Sequence, residues 1–213
     1  MNRIQHDEAY DVLLHACCGP CAEYPARLFH EEGIRFLGWF YNPNIHPAVE
    51  NQRRREHFLR LSEKLGFAAI AEPDCEPETW LAWPADEKTE NGTAGLPGDV
   101  SGLRSRCRMC YRRRLGAAAA KAAELGIPAF TTTLLISPWQ DHEALKEIGY
   151  EVAKEHGVTF IYRDFRPGFR QGQQWAREDG LYRQKYCGCL PSLDDSQFKE
   201  KILMDLDLLS KQI

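Results

Sequence analysis

Seven of the eight cysteines in this 213-residue chain fall into three tight clusters, Cys17-Cys18-Gly19-Pro20-Cys21, Cys107-Arg108-Met109-Cys110 and Cys187-Gly188-Cys189. The clusters lie far apart in the chain, so only folding can bring them together. Within each cluster the short spacing lets two sulfurs reach one metal ion, or each other, without straining the backbone. Clips of this kind in a chain without an export signal point to an iron–sulfur site, a zinc site or thiol redox chemistry rather than to a disulfide scaffold. A closed zinc site takes four ligands, and so does a [4Fe–4S] cluster. Seven clustered thiols exceed either requirement, and the surplus favours a cluster accompanied by a second metal or a redox pair. Adjacent cysteines such as Cys17 and Cys18 rarely bond to each other, because the ring is strained. Cys75 stands alone between Asp74 and Glu76 and reads as an ordinary cysteine.

Other residues carry weaker signals. His15 lies in an apolar run and reads as a satisfied core histidine. His46, in a loop rich in proline and asparagine, is placed to contact a substrate or to cap the loop. Asp164 follows the last apolar run, where a carboxylate can complete an iron site or shuttle protons; an ion pair with Arg166 is the competing reading. Trp139, Trp175, Tyr182 and Tyr186 can stack a base or simply pack. Six arginines stand between Arg104 and Arg114, interleaved with Cys107 and Cys110. They can hold phosphate or balance an anionic thiolate cluster. The run Arg53 to Arg55 reads as a solvated helix face.

Elements that could position these groups follow from the apolar pattern. Strand-like runs cover Tyr10 to Ala16, Ile34 to Phe40, Phe67 to Ala71, Ala129 to Ile136 and Val158 to Tyr162. Helical spacing covers Pro20 to Glu32, Pro47 to Leu65, Arg108 to Leu125, Asp141 to His156, Gln171 to Asp179 and Gln197 to Leu209. Strands alternating with helices predict a single α/β domain, residues 1–213, built on a doubly wound, mostly parallel sheet. Residues 84–103, rich in glycine and without periodicity, are expected as an inserted exposed loop or lid, and 190–213 as a C-terminal helical segment. A site in such a sheet lies beyond the carboxyl ends of the strands, and the first cysteine cluster follows the first strand directly. Net charge is −4 and the apolar fraction 43%. With a mean hydropathy of −0.50, the chain reads as an ordinary soluble one, with neither a membrane span nor a secretory signal. The expected compartment is the cytoplasm.

Six stretches taken together resemble one family: LLHACCGPC (13–21), FYNPNIHP (40–47), RCRMCY (106–111), TTLLISP (132–138), DFR (164–166) and LYRQKYCGC (181–189). They are similar, in order and over nearly the whole chain, to the QueH family of cobalamin-independent epoxyqueuosine reductases. The resemblance implies a HUP/Rossmann-like fold and a two-electron reduction. In it the epoxide of epoxyqueuosine, at the wobble position of tRNA, becomes the cyclopentene of queuosine, the last step of queuosine biosynthesis. It implies Cys17, Cys18, Cys107 and Cys110 as ligands of a [4Fe–4S] cluster, and Cys187 with Cys189 as a redox-active pair able to form a disulfide bond. It further implies a second, mononuclear iron, in which case some of Cys21, Cys187, Cys189 and Asp164 are iron ligands instead. The substrate would meet His46, Arg112, Arg113, Trp139 and Tyr186, and an electron donor of unknown identity would restore the enzyme. Two departures from the family pattern, Cys75 in place of an aromatic residue and Gly19 in place of the commoner alanine, touch no expected ligand. The alternative from a different class is a tRNA- or nucleic-acid-binding module with structural zinc, which predicts colourless protein where the reductase predicts brown.

Overall fold

The computed structural model describes residues 9–72, 80 and 100–210. Apolar runs become strands here because a parallel sheet covered by helices buries both of its faces, so strand positions on either face are mostly apolar. β1 (Val12–Ala16) and β2 (Phe36–Phe40) are buried at every residue. β3 (Ala69–Ala71), β4 (Ala129–Thr132) and β5 (Thr159–Phe160) complete the sheet. The order is β3-β2-β1-β4-β5, and all pairs are parallel. Val12 lies opposite Phe36 on one side of β1, and Leu13 opposite Phe130 on the other.

Seven α-helices accompany these strands among the described residues: α1 (Gly19–Glu31), α2 (Ala48–Leu65), α3 (Val100–Glu124), α4 (His142–His156), α5 (Phe169–Glu178), α6 (Leu190–Asp194) and α7 (Lys199–Ser210). α1 packs on α2 and α5, and α3 packs on α4. The chain runs outward from β1 to β3, then returns to β4 and β5 on the far side. Right-handed crossovers therefore place the two pairs of helices on opposite faces. The expected doubly wound α/β sheet is the one observed, and β1 and β4 flank its switch point, where a crevice opens beyond their carboxyl ends. One core runs through the sheet, with Leu13, Leu14, Phe58, Phe130 and Leu145 among its members. A smaller cluster of Tyr186, Leu193, Ile202 and Leu206 packs with Val49 of α2.

Several boundaries differ from the sequence expectation. The run Ala129 to Ile136 is not one strand: β4 stops at Thr132, and Thr133–Ile136 turn into a 3₁₀ helix. Thr132 is the cause, because its Oγ1 accepts from the Leu134 N–H at 3.2 Å and caps the turn. α3 begins at Val100, well before Arg108, so 100–103 of the expected 84–103 loop belong to a helix. Positions 84–99 of that loop, and Cys75, lie outside the described residues. The described part of 190–213 is not one helix but two, separated by a turn in which the Ser196 N–H donates to the Leu193 carbonyl at 3.2 Å.

α1 starts against α2 with no room to spare. A Cβ on Gly19 would stand 2.7 Å from the His57 carbonyl oxygen and 3.0 Å from its carbon, both backbone atoms that cannot swing aside. Gly19→Ala is expected to destabilise the fold by about 1–3 kcal/mol, read as a lower midpoint in thermal or denaturant unfolding. An unchanged midpoint would show that α1 and α2 separate freely.

Candidate functional site

The first thiol cluster is built by a strand-to-helix turn. β1 ends at Ala16 and α1 begins at Gly19, so only Cys17 and Cys18 make the turn, with Cys18 extended at the helix N-cap (φ −175°, ψ 168°). Pro20 occupies the first helical turn, where its missing N–H costs nothing. The result is that the sulfurs of Cys17, Cys18 and Cys21 all lie within 4.8 Å of one another. Cys17 Sγ is 3.8 Å from Cys18 Sγ. A tetrahedral ion with metal–sulfur bonds of about 2.3 Å separates its sulfurs by about 3.8 Å, so the donor set fits a thiolate-binding metal.

Thr133, just past β4 across the switch point, fastens this turn. Its hydroxyl accepts from the Cys17 N–H at 3.0 Å and donates to Cys17 Sγ at 3.3 Å. Hydrogen bonding to the Cys18 and Cys21 sulfurs holds the Cys17 thiol well below its ordinary value. Cys18 is pushed up, first by burial, and Cys21 is pushed up by its hydrogen bonds to the other two sulfurs. Of the three thiols, Cys17 is thus the one most readily deprotonated.

The other two clusters meet each other. Cys107 and Cys110, on α3, share one electrostatic neighbourhood with Cys187 and Cys189. Burial, followed by those three thiols, pushes Cys107 up to about 12. Burial and then Cys187 raise Cys189 to about 11. Cys110 packs with Met109 and Trp80, and Cys189 lies against them. All seven described cysteines are free thiols, so the Cys187–Cys189 disulfide implied by the resemblance is not formed here.

What holds Cys187-Gly188-Cys189 in place is a buried guanidinium. Arg54 is 1% exposed. Its Nε donates to Glu50 Oε1 at 2.7 Å, and its terminal nitrogens donate to the carbonyls of Cys187 at 2.9 Å and Tyr186 at 3.1 Å. Glu50 also accepts from the Tyr182 hydroxyl at 2.9 Å. The His46 N–H donates to the Gly188 carbonyl at 2.8 Å, and the Tyr186 hydroxyl donates to the His46 carbonyl. Gly188 has φ +124°, and a Cβ there would lie 2.8 Å from Ile45 and 3.2 Å from Arg54. Only glycine serves at that position.

A cavity of ≈ 370 Å³ opens over these groups. Cys17, Cys21 and Cys187 line it, together with Arg54, Arg114 and Thr133. Trp139 stands at its edge, 78% exposed, edge-on to Phe169 at 5.2 Å between ring centroids. Arg114, 2% exposed, donates to Asn42 Oδ1 at 2.6 Å. Asn42 is itself fixed by donating to the Ala16 carbonyl at 2.9 Å.

Of the residues singled out from sequence, Trp139 and Tyr186 line the cavity beside the thiols. His46 is buried against Trp80 and grips the Cys-Gly-Cys segment through its backbone rather than lining the cavity. Asp164 forms a two-point ion pair with Arg166, at 2.8 Å and 2.6 Å, which draws its carboxyl down to about 2. It is absent from the cavity wall. Arg108 pairs with Glu147, and Arg112 with Glu151 and Glu155, across the α3–α4 contact; Arg113 is exposed. His15 is the satisfied core histidine expected: its ring nitrogens meet Thr132 Oγ1 at 2.8 Å and the Tyr41 carbonyl at 3.0 Å.

Arg54 escaped the sequence reading, and Arg114 was read only as one of six arginines able to hold phosphate or balance thiolates; both had a sharper signal. Arg54 looked like part of a solvated run, yet Glu50, Arg54, Phe58 and Leu61 form one helical stripe, and Phe58 and Leu61 are core residues. Arg114 follows Cys107 and Cys110 at i+7 and i+4, on their face of α3, while Arg112 and Arg113 turn away.

Comparison with known proteins adds a family to this geometry. The family described as "Epoxyqueuosine reductase QueH" matches residues 12–195. The Epoxyqueuosine reductase QueH of Dehalococcoides mccartyi is 38% identical over 181 residues, covering 85% of this chain and 91% of that one. The protein of the same name from Histophilus somni is 34% identical, covering 87% of this chain and 73% of that one. The one from Thermotoga maritima is 32% identical, covering 85% and 90%. Among solved structures, the zinc-inhibited form of teicoplanin deacetylase Orf2 shares 12% identity at a TM-score of 0.46, covering 79% of this chain and 82% of that chain.

Removing the Arg54 guanidinium leaves the Glu50 carboxylate buried and uncompensated. Arg54→Leu is expected to cost about 3–5 kcal/mol in denaturant unfolding, and the Glu50→Leu/Arg54→Leu double variant clearly less. Equal losses in both would show that the pair contributes packing rather than charge compensation.

Proposed function

Because the chain belongs to the epoxyqueuosine reductase QueH family, making it an oxidoreductase of queuosine biosynthesis, we propose that the cavity between β1 and β4 is where the epoxide of epoxyqueuosine, carried at the wobble position of tRNA, loses its oxygen. The observation that supports this most directly is that cysteines from distant parts of the chain, Cys17, Cys21 and Cys187, line one cavity. Turning the epoxide into an alkene breaks two C–O bonds and releases water, which takes two electrons and two protons. Cys187 and Cys189, oxidised to a disulfide, yield two electrons and two protons, and an external electron donor then restores the thiols. When bound, a [4Fe–4S] cluster with an iron beside it supplies single electrons and a Lewis acid for the departing oxygen. Cys17, Cys18, Cys107 and Cys110 are the cluster ligands in this reading. Cys21 is held in the same triad as Cys17 and Cys18 and is available to either metal.

The chain's own residues do the positioning. Arg54 and the His46 backbone present Cys187 to the cavity. Trp139, exposed at the edge, stacks the flipped base, and Tyr186 closes the wall beside it. Phosphates of the anticodon loop meet Arg113 and the exposed edges of Arg112. Asp164 takes part only if it exchanges Arg166 for a metal or a proton. No described helix is long and apolar enough to cross a membrane, which is compatible with work on tRNA in the cytoplasm.

Anaerobically purified protein is expected to be brown and to convert epoxyqueuosine-tRNA to queuosine-tRNA, measured by mass spectrometry of the digested nucleosides. Cys107→Ser and Cys110→Ser should lose iron and turnover together. Cys187→Ser should keep the iron and lose turnover by at least about a hundredfold. Colourless, zinc-loaded protein without turnover would favour the nucleic-acid-binding alternative. Trp139→Ala should raise KM for the tRNA about 5- to 150-fold with iron content unchanged, in line with about 1–3 kcal/mol for one stacked base.

A further inference from the structure

The two buried arginines of the cavity wall differ in one respect that carries chemical weight. Arg54 has Glu50 as its counter-ion. Arg114 is just as deeply enclosed, yet no carboxylate pairs with it among the described residues. It donates to the neutral Asn42 amide oxygen and lies within hydrogen-bonding reach of the Cys110 thiol, and its Nε has no hydrogen-bond partner among the described residues. A guanidinium cannot shed its proton at any ordinary pH, so a buried one must be matched by negative charge. The groups that face it are thiols. It lines the cavity with Cys17 and Cys187, and it lies in electrostatic reach of Cys17, Cys110 and Cys187, which belong to all three cysteine clusters.

We propose that Arg114 is the counter-ion of the thiolate-held metal centre, a positioning residue that balances the centre's negative charge and thereby raises its affinity for metal and its reduction potential. This rests on the reading of the thiols as metal ligands. Three thiolates or more around a divalent ion leave a net negative complex, and a reduced cluster is more negative than an oxidised one. A fixed positive charge in a dry site favours both. Asn42 holds the guanidinium in place before any metal arrives, because its own amide is committed to the Ala16 carbonyl. The helical spacing Cys107, Cys110, Arg114 keeps charge and ligands on one face of α3, so binding the metal and compensating it are functions of the same element.

The test compares wild type with Arg114→Gln, which removes the charge, and Arg114→Lys, which keeps it. Two readouts besides activity are needed: the apparent zinc affinity of metal-free protein, by chelator competition, and the reduction potential of the iron-loaded protein, by optical titration. Arg114→Gln is expected to bind zinc roughly tenfold or more weakly and to titrate at a more negative potential, with Arg114→Lys close to wild type in both. If Arg114→Gln loses iron altogether while Arg114→Lys retains it, the charge role stands. If Gln and Lys variants lose metal equally, or the Gln variant matches wild type in affinity and potential, the inference is overturned. Wild-type protein that takes up neither iron nor zinc would sink the metal reading and this inference together, whereas a loaded wild type beside an indifferent Gln variant would sink the inference alone.

Discussion

Arg54 joins two parts of the chain that share no local sequence relationship, and the rest of the site depends on that joint. Its guanidinium lies on α2, in a stripe that otherwise faces the core, and its donors are divided between Glu50 on the same helix and two carbonyls just before Gly188. A planar fork with fixed N–H directions can do this where a lysine cannot. Because α2 also receives the start of α1 against its backbone at Gly19, the first and last cysteine clusters are referred to the same helix. Any rotation of α2 would move both.

Charge compensation explains the rest of the cavity wall. Burial raises the thiols of Cys18, Cys107, Cys110 and Cys189, whereas hydrogen bonding to Cys18 and Cys21 lowers that of Cys17. A site of this kind favours neutral thiols until something positive arrives. Arg114 is one permanent positive charge set beside them, and a metal is the other that the donor set fits. By contrast Arg108 and Arg112, six and two positions before it along α3, are neutralised by acids of α4. Arginines in one short run thus have different roles, decided by which side of the helix each occupies.

The switch point of the sheet supplies the location. β1 and β4 are neighbours whose crossovers leave on opposite faces, so the turns after them diverge and leave a crevice. The Cys17-Cys18 turn follows one strand and the Thr133 turn follows the other. The hydroxyl of Thr133 bridges the two through the Cys17 backbone and sulfur. Shortening β4 at Thr132 is what brings Thr133 into reach, so the departure from a longer predicted strand is part of how the site is made.

Much of this was legible in the residues alone. Continuous apolar runs from Val12 to Ala16 and from Phe36 to Phe40, alternating with helical spacing, sufficed for a doubly wound parallel sheet, because burial on both faces leaves that pattern and no other. The clustering of Cys17, Cys18 and Cys21 on a strand-to-helix turn was equally plain, since local spacing determines local geometry. Tertiary structure alone decided which distant thiols are neighbours, that Asp164 turns to Arg166, and that Arg54 and Arg114 are buried while Arg113 is not. The reason is physical: helical spacing marks the face a charged side chain occupies, but its role is settled only by the partner that another segment of the chain brings to it.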